Sequence, residues 1–203
     1  MPVPYFLARP SGEPPWPGVV VCLEGYGMDQ WLLRVCQRLA AEGYAAIAPD
    51  MFARFGGSDR SVGPENLMAL TSEDALSDVT QCAAELRRMG AGKVGITGFC
   101  MGGRITYEAA TKGAPVDAAV AFYGAGIVRM VGKPGCPLHL FYGGTDEYIP
   151  PDEIAAVEAQ HPGIVTTYPD AGHAFMHESN EPDTVAAKDA WPKLLAFFGE
   201  HLR

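Results

Sequence analysis

The stretch Lys93-Val94-Gly95-Ile96-Thr97-Gly98-Phe99-Cys100-Met101-Gly102-Gly103 decides the fold. It starts as an apolar run of strand length, sets a cysteine between glycines two residues to either side, and runs into Arg104-Ile105-Thr106-Tyr107-Glu108-Ala109-Ala110-Thr111, which reads as helix. A strand that passes directly into a helix through closely spaced glycines is a tight bend, because only glycine lets the backbone segments approach so closely. The bend exposes the Cys100 sulfur at a sheet edge and at a helix N-terminus, whose partial positive charge favours the thiolate. For a lone cysteine the plain alternative is a small buried apolar residue. The preceding strand, the following helix and the double glycine argue instead for G-x-S-x-G with cysteine replacing serine. The glycines at 98, 102 and 103 do not form G-x-G-x-x-G, and no G-x-x-x-x-G-K-[ST] occurs, so phosphate cradling is not indicated.

Working outward, strands are expected near Val19-Leu23, Tyr44-Ala48, Val94-Thr97, Ala118-Phe122, Leu138-Tyr142 and Val165-Tyr168. Helices are expected near Asp29-Glu42, Glu73-Met89, Gly102-Thr111, Asp152-Gln160 and Val185-His201. Alternation of the two, with strands that are continuous apolar runs, predicts a three-layer α/β architecture with a mainly parallel sheet covered on both faces. Thr71 or Ser72 is positioned to cap the second helix, and Pro150-Pro151 ahead of Asp152-Glu153 fits a helix start. Gly12 to Gly18 reads as a turn-rich connector, and Phe55-Gly56-Gly57-Ser58 through Gly63-Pro64 as a polar loop. No repeat or linker divides the chain, so residues 1–203 are expected to form one α/β domain.

Five scattered cysteines, no C-x-x-C pair and no secretory segment favour a reducing, cytoplasmic setting. No apolar run approaches the roughly 18 residues of a membrane helix, so no membrane partner is expected. A formal charge of -9 with dispersed basic residues argues against nucleic acid. It leaves an anionic small molecule open, since one or two local arginines outweigh a diffuse field at contact distance. Monomer and small homo-oligomer both remain open.

A thiol nucleophile needs a base within hydrogen-bond reach and a group that orients the base. Asp146 follows a strand through Gly143-Gly144-Thr145, and His173 follows the next through Asp170-Ala171-Gly172. The chain order nucleophile, acid, histidine is that of α/β-hydrolases. His139 falls inside a strand, His161 precedes a proline and His201 lies at the tail. His173 and His177 are four apart but in a loop, without the helix and third ligand of a zinc site, so neither metal nor organic cofactor is expected.

These residues resemble the dienelactone hydrolase family, a branch of the α/β-hydrolase fold, along nearly the whole chain. The resemblance rests on 18–27 (GVVVCLEGYG), 43–54 (GYAAIAPDMFAR), 93–103 (KVGITGFCMGG), 122–124 (FYG), 142–146 (YGGTD) and 170–175 (DAGHAF). It implies Cys100 as nucleophile, His173 as base and Asp146 as orienting acid. It further implies that Glu24 holds the thiol neutral until substrate arrives and then takes its proton. The backbone N–H groups of Gly25 and Met101 would form the oxyanion hole. Tyr123 becomes a candidate substrate contact. Members acting on dienelactone carry carboxylate-gripping arginines, one of them where this chain has His177. The other falls in a stretch that is shorter here, over 54–72, leaving Arg54 or Arg60 as stand-ins, with Arg104 and His177 as further substrate-binding candidates. The N-terminal strands of the fold are expected to be reduced.

The expected activity is hydrolysis of a small lactone or carboxylic ester through an acyl-enzyme, as in a carboxymethylenebutenolidase. The alternatives are a carboxylesterase or thioesterase acting on another small acyl substrate, and a non-hydrolytic binder or thiol redox sensor on the same fold.

Overall fold

Strands that are apolar on both faces must be sandwiched between helices, and the centre of this sheet obeys that rule. The computed structural model describes residues 2–57, 63–130, 132–177 and 185–203. Among them, β1 (Tyr5–Ala8), β2 (Gly18–Cys22), β3 (Ala45–Pro49), β4 (Val94–Phe99), β5 (Ala118–Phe122), β6 (Leu138–Gly143) and β7 (Val165–Tyr168) form one sheet in the order β1-β3-β2-β4-β5-β6-β7. Every residue of β2, β3, β4 and β5 is buried. The six strands expected from the sequence are the parallel ones. An N-terminal strand that the sequence reading does not place is also present: β1 pairs antiparallel with β3, Tyr5 opposite Pro49. The four residues of β1, set between Pro4 and Pro10, carry too little periodicity to announce a strand.

The helices are α1 (Gln30–Ala41), α2 (Gly63–Ala69), α3 (Ser72–Arg88), α4 (Met101–Thr111), α5 (Pro151–Gln160) and α6 (Val185–Leu202). A Cβ at Gly95 would meet Leu202 and Phe198 of α6, whereas one at Gly98 would meet α4, so these helices lie on opposite faces of β4. On the α6 side, Arg38 of α1 stacks over Trp191 at 3.9 Å. Helix starts follow the sequence signals. Asp29 Oδ1 accepts from the Leu32 N–H at 2.9 Å to cap α1, Thr71 Oγ1 accepts from the Asp74 N–H at 3.1 Å to cap α3, and Pro151 opens α5. One expectation is corrected: the polar loop read through Gly63-Pro64 gives way to α2 at Gly63, whose first turn holds proline and Glu65. Both are helix-start signals outweighed in the reading by the glycines upstream.

Two features of the sheet position the site. The chain lays β3 on one side of β2 and β4 on the other, so the order reverses between β2 and β4, and the crevice beyond their C-terminal ends is where ligands bind in such sheets. Beneath that crevice, register pairs Phe99 with Phe122 and Phe122 with Phe141, and their rings stack at 5.0 and 4.9 Å. Trp31 of α1 closes this aromatic floor edge-on to Phe99 at 4.8 Å.

The bend after β4 is the tightest junction in this frame. A Cβ on Gly98 would overlap the Gly102 carbonyl, and one on Gly102 would overlap the Cys22 carbonyl and approach that of Leu23. Backbone atoms cannot swing aside as a side-chain tip can. Gly102→Ala is therefore expected to lower the unfolding free energy by about 3 kcal/mol, read from chemical denaturation with an unchanged m-value.

Candidate active site

The elbow holds Cys100 at φ 54 and ψ -113, a left-handed conformation that a residue with a Cβ adopts only when its surroundings enforce it. Its N–H donates to the Phe122 carbonyl at 3.1 Å, and its own carbonyl accepts from the Arg104 N–H at 3.2 Å, so the residue is tied to β5 on one side and to α4 on the other. Met101 opens α4, where N–H groups have no acceptor within the helix. Met101 and Gly25 both line the same cavity as Cys100, of about 1040 Å³.

The loops after β6 and β7 are stitched together by their backbones. Gly144 N–H donates to Tyr168 O at 2.7 Å and Thr145 N–H to Ala171 O at 3.0 Å. This pairing carries Asp146 to His173. Asp146 Oδ2 lies 2.7 Å from His173 Nδ1, while Oδ1 accepts from the Tyr148 N–H at 2.8 Å, so both oxygens of a buried carboxyl group are occupied. The imidazole also hydrogen-bonds the Cys100 side chain. Burial opposes a charged ring here, but the hydrogen bonds to Asp146 and Cys100 outweigh it and push the His173 pKa up to about 10. Tyr123 and Tyr148 pack edge-on against the ring at 5.1 and 4.8 Å, fixing its plane.

Glu24 follows β2 at the switch point and is buried. Burial raises its pKa above the ordinary carboxyl value, partly offset by His177 and by the Tyr123 hydroxyl, which donates to Oε1 at 3.1 Å. Tyr123 is fully buried and does not line the cavity. It supports Glu24 from below, with its backbone at φ 38.

The four other sequence candidates part company. His177 lines the cavity with its ring 4.6 Å from Trp31 and its Nε2 3.2 Å from Asp29 Oδ2, while His173 turns to Asp146, so the two histidines of the loop face different carboxylates. Arg104 lines the cavity from α4. Arg54 does not: its guanidinium is spread between Asp74 at 2.7 Å and both oxygens of Asp78 at 2.7 Å. Arg60 lies outside the described residues. The sequence reading missed Tyr26, Leu67, Met68 and Tyr148, which line the cavity and are exposed. Met68 is 86% exposed and Tyr148 64%. The exposed aromatic residues carry no periodic signal, and Leu67 and Met68 belong to the unpredicted α2.

A family model described as "Dienelactone hydrolase family" matches residues 3–202. A protein of Salmonella typhimurium named "Putative carboxymethylenebutenolidase" is 32% identical over 228 residues, covering 98% of this chain and 83% of its own. An Escherichia coli protein of the same name is 32% identical over 224 residues, with the same coverage of 98% and 83%. The crystal structure of a "Putative Dienelactone Hydrolase" from Klebsiella pneumoniae superposes with a TM-score of 0.86 at 30% identity, covering 98% of this chain and 93% of that one. No helix among the described residues is long and apolar enough to cross a membrane.

The Arg54 cluster generates a stability test. Burial pushes the Asp78 pKa up to about 6, with Arg54 opposing the rise. Between the ordinary carboxyl value and about 6 the folded state therefore binds more protons than the unfolded one, and this group's contribution to stability declines as pH rises through that window. Arg54→Ala removes the opposing cation. We expect a loss of about 3 kcal/mol at pH 7.5 that shrinks as pH is lowered toward about 5, measured by urea denaturation across pH.

Proposed function

The chain belongs to the dienelactone hydrolase family, and from that premise we propose that it cleaves a small lactone or carboxylic ester through an acyl-enzyme on Cys100, with His173 as base and Asp146 as its orienting acid. The observation that carries this reading is the hydrogen-bonded chain Asp146–His173–Cys100 at the wall of a cavity that two candidate oxyanion donors also line.

In acylation the Cys100 thiolate attacks the substrate carbonyl and the oxyanion turns toward the N–H groups of Gly25 and Met101. Losing one such donor typically costs about 10²–10³ in turnover. The tetrahedral intermediate collapses as the imidazolium of His173 gives its proton to the departing alkoxide, leaving a neutral thioester beside a neutral ring. Formation of the thioester removes the thiolate from beside His173. With it goes part of what raised the ring's pKa, so acylation itself releases the imidazole to act as base. The neutral ring then takes a proton from water, the resulting hydroxide attacks the thioester, and collapse restores thiolate and imidazolium with release of the acid. Asp146 keeps the Nδ1–H in place and stabilises the charged ring. Glu24 accepts the thiol proton when the resting enzyme carries one. Its buried position, with Tyr123 donating to it, suits a carboxyl group that alternates between protonation states.

An activated aryl ester incubated with the protein should give turnover and, on rapid quenching, a single acyl mass on the peptide bearing Cys100. Cys100→Ala should lower kcat by about 10⁴ and show no adduct, and His173→Gln should retain adduct formation longer than turnover. A folded protein with neither turnover nor adduct would refute the acyl-enzyme reading.

A further inference from the structure

The loop after β6 carries an aromatic side chain with no step of its own in the proposed chemistry. Tyr148 lines the cavity, and its ring stands edge-on to His173 with centroids 4.8 Å apart. Asp146 holds both residues: Oδ1 accepts from the Tyr148 N–H at 2.8 Å, and Oδ2 lies 2.7 Å from His173 Nδ1. One carboxyl group therefore sets Tyr148 in place relative to the imidazole. The hydroxyl end faces the same centre. Glu147 pushes its pKa up most, and Tyr26 and Cys100 act in the same direction, so the phenol is within electrostatic reach of the nucleophile.

That position coincides with the path of the leaving group. Nδ1 of His173 is turned to Asp146, so the ring's other nitrogen serves Cys100 and gives its proton to the departing oxygen. A hydrogen bond of about 2.9 Å sets that oxygen beside the imidazole, and the group it carries continues past the imidazole's neighbours. On the cavity side these are Tyr148 and, from the loop after β2, Tyr26. A tetrahedral carbon sends its four substituents apart, so the acyl part leaves along a different axis. Tyrosine rings beside an imidazole favour an aromatic guest, because ring pairs gain from edge-on and offset contact beyond the area they bury. The carboxylate of Glu147 beside Tyr148 disfavours an anionic one. A lactone keeps its leaving oxygen tethered to the acyl part and places no separate group here.

We infer that Tyr148 is a specificity-determining residue, its ring packing against an aromatic ring on the alcohol side of an open-chain ester, just beyond the oxygen that His173 protonates. The inference rests on the hydrolase reading for which oxygen departs, but the binding step can be measured without turnover. It assigns to this chain carboxylic esters of neutral aromatic alcohols of the benzyl type.

The test uses benzyl, cyclohexylmethyl and methyl acetate on the wild type, Tyr148→Ala and Tyr148→Phe. All three esters give the same acetyl-enzyme, and benzyl alcohol and methanol are of similar acidity, so differences in kcat/KM report contacts made by the alcohol side during acylation. The wild type is expected to prefer benzyl over both other esters. The ratio of kcat/KM for benzyl over methyl is expected to fall about tenfold in Tyr148→Ala and to keep its wild-type value in Tyr148→Phe, which retains the ring. A residue that only braces His173 would move all esters together, so an unchanged ratio overturns the inference. Equal use of benzyl and cyclohexylmethyl acetate by the wild type overturns it too, since the site would then take apolar bulk of any kind. Titration of benzyl acetate into Cys100→Ala, followed by NMR, separates binding from chemistry. A Kd weakened at least fivefold by adding Tyr148→Ala supports the inference even if the wild type turns over no ester, in which case the hydrolase reading alone falls. Absence of binding, or binding indifferent to Tyr148, overturns the inference whatever the esters show.

Discussion

Everything at the crevice depends on how closely α4 approaches the ends of β2 and β4. Gly102 lies against the carbonyls of Cys22 and Leu23, and Gly98 against that of Gly102, with no room for a Cβ at either. The same contact brings Cys100 to the segment that continues β2 into Glu24 and Gly25. One steric constraint therefore does three things: it exposes the sulfur, sets it at the start of a helix, and brings the loop with Glu24 and Gly25 beside it. The left-handed backbone of Cys100 costs on the order of 1–3 kcal/mol, and the buried sheet around it supplies the packing that holds it there.

The remaining members arrive through backbone pairing between loops rather than through helix packing. Gly144 and Thr145 donate across to Tyr168 and Ala171, and a Cβ on Gly143 would overlap the Ala171 carbonyl, so the two loops can sit together only because Gly143 has none. Asp146 and His173 are then 27 residues apart in sequence and 2.7 Å apart in space. The buried acid has both oxygens engaged, whereas its histidine borders the cavity, as the proposed proton carrier must.

The parallel core was legible because β2, β3, β4 and β5 are unbroken apolar runs of strand length, and the elbow because glycine spacing of that kind has a direct steric meaning. Asp146 and His173 were legible from chain order and from their places just past strands. What escaped notice depends on long-range contact. β1 is short and flanked by prolines, and exists by pairing with β3; α2 follows glycines that read as loop. Arg54 could not be told from a substrate-binding arginine, since nothing local says that Asp78, 24 residues on, will be buried against it. Tyr123 sits in the expected motif but beneath the site, because its unusual backbone at the end of β5 sends the ring inward to Glu24. Local pattern specifies backbone well, but whether a side chain faces a cavity or a neighbouring carboxylate is settled by tertiary packing.

The proposed mechanism gives a reason for the burial of Glu24. Attack, in the proposed mechanism, requires a thiolate on Cys100 in a low-dielectric crevice. A further carboxylate would disfavour the thiolate by like-charge repulsion. Burial pushes Glu24 toward its neutral form, and Tyr123 and His177, which work the other way, keep the ionised form within reach. An exposed glutamate at this position would stay charged and oppose the nucleophile, while a fully apolar surround would leave it unable to take a proton from the thiol. Burial opposed by His177 and Tyr123 would suit both demands of the proposed role, and it follows from the place where β2 ends at the switch point.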